Sequence, residues 1–362
     1  MKTNKFFQLL TLVICGVALA FVTGCEGPEG PIGPKGDTGD TGDTGAQGPA
    51  GADANESCTQ CHNDITTVLK AKTTQFNASA HSMATVYTNG GECAACHNNE
   101  GFLARMDDAS TGDIYTYTGP AETPISCYTC HQIHQSYTAA DWGLTYTDQV
   151  IETILGTKSP DVESVSFNDY GASNTCLQCH QARDRGDVPS PDSTDSLMVT
   201  SPYWGPHYGV QGNVLHSSGG VNIAGNATYP SFGNGHANMS CVDCHMHEGN
   251  HSLAVNFKAC VDCHGNDAEA AVKALKTEIH DLQFELGALL FSVGSLNEVY
   301  EGGKLIGYAP AKNKNSAAQA AGVWNYMVTY QDHSYGTHKP SYIRALLRNS
   351  IAAVQTEIDE NN

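Results

Sequence analysis

A five-residue phrase, Cys-x-x-Cys-His, is written six times in this chain: Cys58 to His62, Cys93 to His97, Cys127 to His131, Cys176 to His180, Cys241 to His245 and Cys260 to His264. No other feature restricts the possible folds so strongly. The phrase is the attachment signal for c-type haem, in which two thiols form thioethers to the porphyrin and the adjacent histidine becomes the proximal iron ligand. A single Cys-x-x-Cys also serves zinc sites and thiol oxidoreductases. With 16 His in 362 residues, a histidine would follow a given cysteine by chance about one time in twenty. Six in six therefore selects haem over zinc, and the count implies six covalently attached haem c groups.

The cysteine inventory then closes. Of 14 Cys the motifs take 12, as Cys58, Cys61, Cys93, Cys96, Cys127, Cys130, Cys176, Cys179, Cys241, Cys244, Cys260 and Cys263, leaving Cys15 and Cys25 near the N-terminus. No pair remains for a disulfide in the body of the chain, so the framework expected is covalent macrocycle with side chains packed around it. Formal net charge is −20, which argues against nucleic acid as a partner. It suits solubility after export, or attraction to basic patches on other proteins.

Lys2 and Lys5 precede an apolar run from Phe6 to Val22, the pattern of a secretory signal peptide and short for a membrane span. Residues 1–24 are expected to be removed. Val22-Thr23-Gly24-Cys25 resembles the lipobox of bacterial lipoproteins, with Cys25 as the lipidated residue; an ordinary cleavage with a spare thiol is the alternative. Glu26 after it resembles the sorting pattern for the outer membrane, with the protein on the periplasmic or cell-surface face. From Gly27 to Gly51 glycine holds every third place. That is a collagen-like signature, because only glycine fits at the axis of three polyproline II chains. Residues 25–54 thus read either as a trimerising stalk or as a flexible spacer.

Residues 55–265 carry the motifs, with Gly, Asn, Ser and Asp frequent between them, and read as short helices and loops. Residues 266–362 are different. Asn266-x-x-Glu269 predicts a capping box, followed by an apolar face of Ala268, Val272, Leu275, Ile279, Leu282, Leu286, Leu289 and Val293 that ends near Gly294. Ser316 and Gln319 open a second helix carrying Trp324 and Met327. Pro340 opens a third with Ile343, Leu347, Ile351, Val354 and Ile358 inward. These helices would complete the haem domain and could also serve a dimer interface.

Ten histidines lie outside the motifs: 81, 134, 207, 216, 236, 247, 251, 280, 333 and 338. The phrases around them include Ser79-Ala80-His81, Gly205-Pro-His-Tyr-Gly-Val-Gln211, Gly249-Asn-His251 and Asp332-His-Ser-Tyr-Gly-Thr-His-Lys-Pro340. Together with Cys93-Ala-Ala-Cys-His-Asn-Asn-Glu-Gly-Phe102, Cys127-Tyr-Thr-Cys-His-Gln-Ile-His134 and Cys241-Val-Asp-Cys-His-Met246, they resemble the multihaem cytochromes c of metal-reducing bacteria. Those proteins are distantly related to the pentahaem nitrite reductase and hydroxylamine oxidoreductase group. The resemblance covers most of residues 55–350. It implies a mainly α fold with much irregular loop, packed around six haems and finished by long C-terminal helices. It also implies His81, His134, His207, His236, His251 and His338 as distal ligands, opposite the proximal His62, His97, His131, His180, His245 and His264. His134 stands three residues after His131, too close to cap the same iron, so it would serve a neighbour. The remaining pairings are open, and His216, His247, His280 and His333 are expected in surface or hydrogen-bonding roles.

Two imidazoles per iron keep it low-spin in both oxidation states, the arrangement of an electron carrier. The nitrite reductases place a lysine at the active haem and the hydroxylamine oxidoreductases link a tyrosine to theirs. All six motifs here end in histidine and nothing marks a tyrosine for such a link, so no catalytic residue is assigned. The expected protein is a lipid-anchored hexahaem electron carrier serving other redox proteins or an extracellular or periplasmic acceptor. A reductase of a small nitrogen or sulfur oxyanion, and a collagen-like structural or adhesive surface protein, are the alternatives.

Overall fold

Two of the three tail helices begin where their sequence signals stand. In a computed structural model of the chain, Ser316 caps the helix Ala317–Gln331 by accepting from the Gln319 N–H at 3.1 Å, while the Ser316 N–H donates to Gln319 Oε1 at 3.2 Å. Pro340 opens the helix Pro340–Asn361, where its missing N–H costs nothing. The first helix, Ala268–Ser292, departs from expectation. It opens behind Asp267, whose side chain makes no cap bond, and the Asn266/Glu269 box does not form. The cause is local: Gly265 takes a positive φ of 66° and a 3₁₀ turn over Gly265–Asp267 separates the last motif from the helix. At its other end, Ser295 N–H reaches Leu290 O at 2.8 Å and Gly294 N–H reaches Phe291 O at 2.9 Å, a Schellman closure.

The structure describes residues 67–84, 86, 91–108, 116–120, 123–150, 167–183, 186, 187, 189, 190, 193–231, 236 and 239–361, all within one compact unit. The first motif, Cys25 and the glycine-repeat segment lie outside them. In chain order the helices are α1 Thr67–Asn77, α2 Gly91–His97, α3 Asn99–Asp107, α4 Cys127–Cys130, α5 Asn174–Leu177, α6 Gln211–Leu215, α7 Cys241–His245, α8 Lys258–His264, α9 Ala268–Ser292, α10 Ala317–Gln331 and α11 Pro340–Asn361. The fold is mainly helical with much irregular chain and few strands. No helix among the described residues is long and apolar enough to cross a membrane.

Helices α9, α10 and α11 pack on one another and hold the main core. Helix α10 is buried almost all round, as the middle element must be. Helix α11 buries Ile343, Leu347 and Val354, with Ile351 and Ile358 packed beside them. On α9 the most deeply buried line is Ile279, Gln283, Leu286 and Leu290, with Leu275, Leu282 and Leu289 only half covered. The line is turned from the predicted face because Tyr308 lies flat against Gly287, where a Cβ would fall 2.3 Å from the ring.

Tyr308 belongs to a hairpin, β2 Leu296–Glu301 and β3 Lys304–Pro310, which was not anticipated. Its turn is Gly302-Gly303, with φ of 58° and 80°, the two positive values that a type I′ turn requires. A second antiparallel pair joins β1 Leu197–Met198 to β4 Lys314–Asn315.

An irregular segment of residues 199–229 is held on the helices by side chains that imitate a backbone partner. Asn325, fully buried, accepts from Val221 N–H at 2.7 Å and donates to Val221 O at 2.8 Å. Asn349 does the same for Ala227, at 3.0 and 2.8 Å. Trp324 Nε1 donates to Gly219 O at 2.9 Å, and its ring meets Trp204 edge-on at 5.4 Å. A chain with few strands satisfies its buried loop amides in this way, and the segment so fixed carries His207 and leads to His236.

Candidate haem centres

Each described motif sits on a short helix or helical turn, so its two cysteines, three residues apart, share a face and the histidine follows directly. In the third and fourth motifs the histidine N–H closes back on the carbonyl of the first cysteine at 2.9 Å. All ten cysteines of motifs two to six are free thiols, the state thioether formation needs.

Each of the five described motif histidines faces a different histidine from outside its own motif, in four cases from a distant part of the chain. Ring centroids are 6.2 Å apart for His97 and His207, 6.2 Å for His131 and His251, and 5.9 Å for His180 and His81. They are 6.4 Å apart for His245 and His338 and 6.0 Å for His264 and His236. Iron–nitrogen bonds of about 2 Å, plus roughly 1.1 Å from each nitrogen to its ring centre, would separate two axial imidazoles by about 6.2 Å. Edge-to-face packing alone allows any centroid distance from about 4.5 to 7 Å, and the five values cluster within half an ångström. Among the described residues no three His, Cys, Asp or Glu side chains converge as a tetrahedral metal centre would require.

The outer nitrogens of these rings are accounted for as metal ligands' usually are, by a partner that fixes tautomer and orientation. His131 Nδ1–H donates to Trp142 O at 2.7 Å, His245 to Leu253 O at 2.8 Å, His236 to Thr337 O at 3.0 Å and His251 to Gly249 O at 3.0 Å. His180 donates to Gln211 Oε1 at 3.0 Å, and the Gln211 amide in turn donates to Gln331 O at 3.3 Å. His338 donates to a carboxylate, Asp332 Oδ1, at 2.6 Å. Every one of these bonds uses Nδ1 and leaves Nε2 for iron.

Burial sets the charge state. It drives His81 down to about 4, assisted by His180, and lowers His180 and His251 as well. These rings are therefore neutral and carry a lone pair at neutral pH. At His338 burial also opposes the charge, but Asp332 outweighs it and holds the imidazole above its ordinary value.

The turn that aims His338 is over-determined: His333, Tyr335 and Gly336 all have positive φ, at 56°, 49° and 85°, backbone that persists only where its surroundings enforce it. Helix α1 steadies another ligand. Gln75 accepts from the His251 N–H at 3.0 Å, and Lys72 Nζ donates to Gly249 O.

The motifs are packed against one another. The Cys179 thiol donates to Cys96, drawing that group down to about 6, and the Cys176 thiol donates to Cys241, drawing it down to about 7; both donors are raised. Cys130 lies close enough to raise Cys176 and Cys179 further, and Cys260 close enough to raise Cys244. The fourth motif thus touches the second and fifth and neighbours the third, and the fifth leads to the sixth. Of the five described motifs the sixth is the most open, with Val261, Asp262, Cys263 and His264 all exposed, whereas Leu177 in the fourth is 1 % exposed. Beside His131 a cleft of about 480 Å³ is lined by Leu103, Asp107, Tyr128, Gln132 and Tyr146, within the size range of cofactor sites. Free thiols, opposed imidazoles and this spacing fit covalent haem.

Cys25, Cys58, Cys61 and His62 lie outside the described residues. His134 belongs to none of the five pairs. It is exposed, at φ 61°, stacked on Tyr137 at 5.5 Å, with Nδ1 3.3 Å from the Tyr128 hydroxyl. Of the histidines given no ligand role, His280 is exposed beside Asp281 and Phe284, and His333 stacks on Tyr208 at 5.8 Å. His216 lies against Phe167 at 5.4 Å. Sequence reasoning did not single out Asp332 or Gln211, although both stand inside the histidine phrases.

No protein-family model matches the chain, and no curated protein sequence matches it. Among solved structures it is similar to an outer cell wall cytochrome, OcwA, at 16% identity and a TM-score of 0.47, over 78% of this chain and 50% of that one. The chain thus spans about half the length of that protein.

Proposed function

We propose that this protein is a hexahaem c-type electron carrier in which every iron is closed by two histidines. Haem supplies one-electron chemistry when bound; the chain's own residues hold the centres in order, close their coordination and exclude substrate. The observation that carries the reading is the set of five histidine pairs, each spaced for iron and each with its outer nitrogens turned away from the gap where the partner is resolved. A centre with both axial positions filled exchanges electrons with little rearrangement and offers no site to a substrate. The pairs join the second motif to His207, the third to His251, the fourth to His81, the fifth to His338 and the sixth to His236. His134 then remains for the first motif and His62.

We further read Cys25 as a lipid anchor at the outer membrane and residues 27–53 as the spacer or trimerising stalk that separates the carrier from it, with electrons passing to an extracellular or periplasmic acceptor. The support is sequence alone: the apolar run ending at Gly24-Cys25 and the glycine repeat.

Electron paramagnetic resonance of the ferric protein tests the closed-centre reading. Only low-spin signals are expected. A high-spin signal amounting to one iron per chain, shifting with nitrite or hydroxylamine, would replace the carrier by a reductase. That alternative has its place at the first motif, the one whose surroundings are not among the described residues.

A further inference from the structure

We infer that Asp332 is an electrostatic tuning residue that lowers the potential of the fifth-motif centre, making it harder to reduce than a neutral acceptor at His338 would. The inference rests on the paired-histidine reading above and deepens it.

Six of the ten ligand histidines in the five pairs have a visible Nδ1 acceptor. Four acceptors are backbone carbonyls and one is the Gln211 amide oxygen. The sixth, at His338, is a carboxylate. A charged acceptor binds the Nδ1 proton more strongly than a neutral one, shifts electron density toward Nε2 and makes the imidazole a stronger donor. Ferric iron gains more from that donation than ferrous iron, so the oxidised form is favoured. The side chain of Asp332 is 0% exposed and the contact is 2.6 Å, so its charge is little screened.

The placement of Asp332 is unfavourable for stability taken alone. It caps the C-terminal end of α10, where the helix dipole is already negative and a cation would be preferred. A carboxylate buried at that end needs compensation, and it comes from His338 together with the Ser334 hydroxyl, which donates to Asp332 Oδ2. Ser334 also accepts from the His338 N–H at 3.3 Å. The same short turn therefore supplies the ligand, the charge that tunes it and a hydroxyl that moderates the charge.

The position within the molecule gives the effect a use. The fifth motif lies between the buried fourth and the exposed sixth. A centre of low potential there sets an energetic step between the exposed end and the interior of the relay.

Two substitutions with opposite signs test this on the haem-loaded protein by redox potentiometry and low-temperature electron paramagnetic resonance. Asp332→Asn keeps an acceptor without charge and should raise one wave, that of the centre which His338→Met also moves, with one low-spin species changing its g-values and the other waves unmoved. Ser334→Ala removes the moderating hydroxyl and should lower the same wave. Should both variants fold with six low-spin haems and unchanged potentials, Asp332 does not tune. Should Asp332→Asn lower that wave, or move one that His338→Met leaves in place, the tuning assignment is wrong. A failure of the underlying reading shows separately, as a wild-type fifth centre that is high-spin, or one that stays bis-histidine when His338 is replaced by methionine.

Discussion

Replacing His207 by methionine should convert one centre from two imidazoles to imidazole and thioether, raising its potential and adding a near-infrared iron–sulfur band, because His207 faces His97 at 6.2 Å. Retention of six bis-histidine spectra would remove His207 from the ligand set. Gln211 admits a different test. Its Oε1 takes the His180 proton and its amide ties that ring to the end of α10, so Gln211→Leu leaves a buried N–H without its acceptor. We expect a loss of about 1–3 kcal/mol by chemical denaturation and a shift in one haem potential. At this scale the sequence was most legible where chemistry is local. A cysteine pair with its histidine is one turn of chain, whereas the carboxylate that binds His338 became visible only once the turn from 332 to 338 had a shape. His134 lies outside the five described pairs, and its place opposite His62 is part of the proposal above.

The helices show the same division. Ser316 and Gln319 form the box their spacing announces, because nothing else competes for those groups. Asn266 and Glu269 do not, because the chain leaving His264 must first turn through Gly265. The hairpin escaped notice although Val299, Tyr300, Leu305 and Ile306 flank Gly302-Gly303, a turn signal that was overshadowed by the helical periodicity on both sides. Two predictions belong to these elements. Asn325→Ala strips Val221 of partners for both N–H and C=O, and should cost about 2–4 kcal/mol, at the upper end because two buried groups are orphaned; thermal unfolding checks it. Arg344 and Arg348 tie α11 to Glu278 on α9 at 2.7 and 3.0 Å. The Arg344 hydrogen bond is the main cause that holds the Glu278 carboxyl below its ordinary value. The stabilisation is present above the ordinary carboxylate range and is lost as pH falls through the lowered value. Because both partners are about a third exposed, Glu278→Gln should cost under about 1 kcal/mol at neutral pH and flatten the acid limb of the stability curve.

At the scale of the molecule, the contacts among the thiols of the five described motifs form a branched path with the fourth at the junction. Removing that motif's attachment by Cys176→Ser with Cys179→Ser should leave the centres on either side separately reducible and abolish rapid exchange between them. The same change at the third motif should spare exchange between the second and the sixth. Stopped-flow reduction followed by site-resolved spectra distinguishes the two, and circular dichroism of α9 to α11 monitors folding. Such connectivity could not be read in advance, since sequence order places the third motif between the second and the fourth while space makes the fourth the common neighbour of the second and the third.

The histidine pairs have one more consequence, and it concerns assembly. Four of them join positions roughly a hundred residues apart, so each iron proposed there would, once ligated on both sides, be a cross-link that closes a long loop. By analogy with a disulfide spanning such a loop, each closure would remove on the order of 4–5 kcal/mol of unfolded-state entropy. The closures interlock, because His81, His207 and His251 reach across one another's intervals, and the fifth waits for His338 near the end of the chain. On the paired-histidine reading proposed above, the native state would thus be available only to a chain synthesised through His338 and loaded with haem. The apoprotein should accordingly show protected amides in α9 to α11 and in the stretch around Val221 and Ala227 that Asn325 and Asn349 fasten to them, and little protection from residue 67 to residue 150.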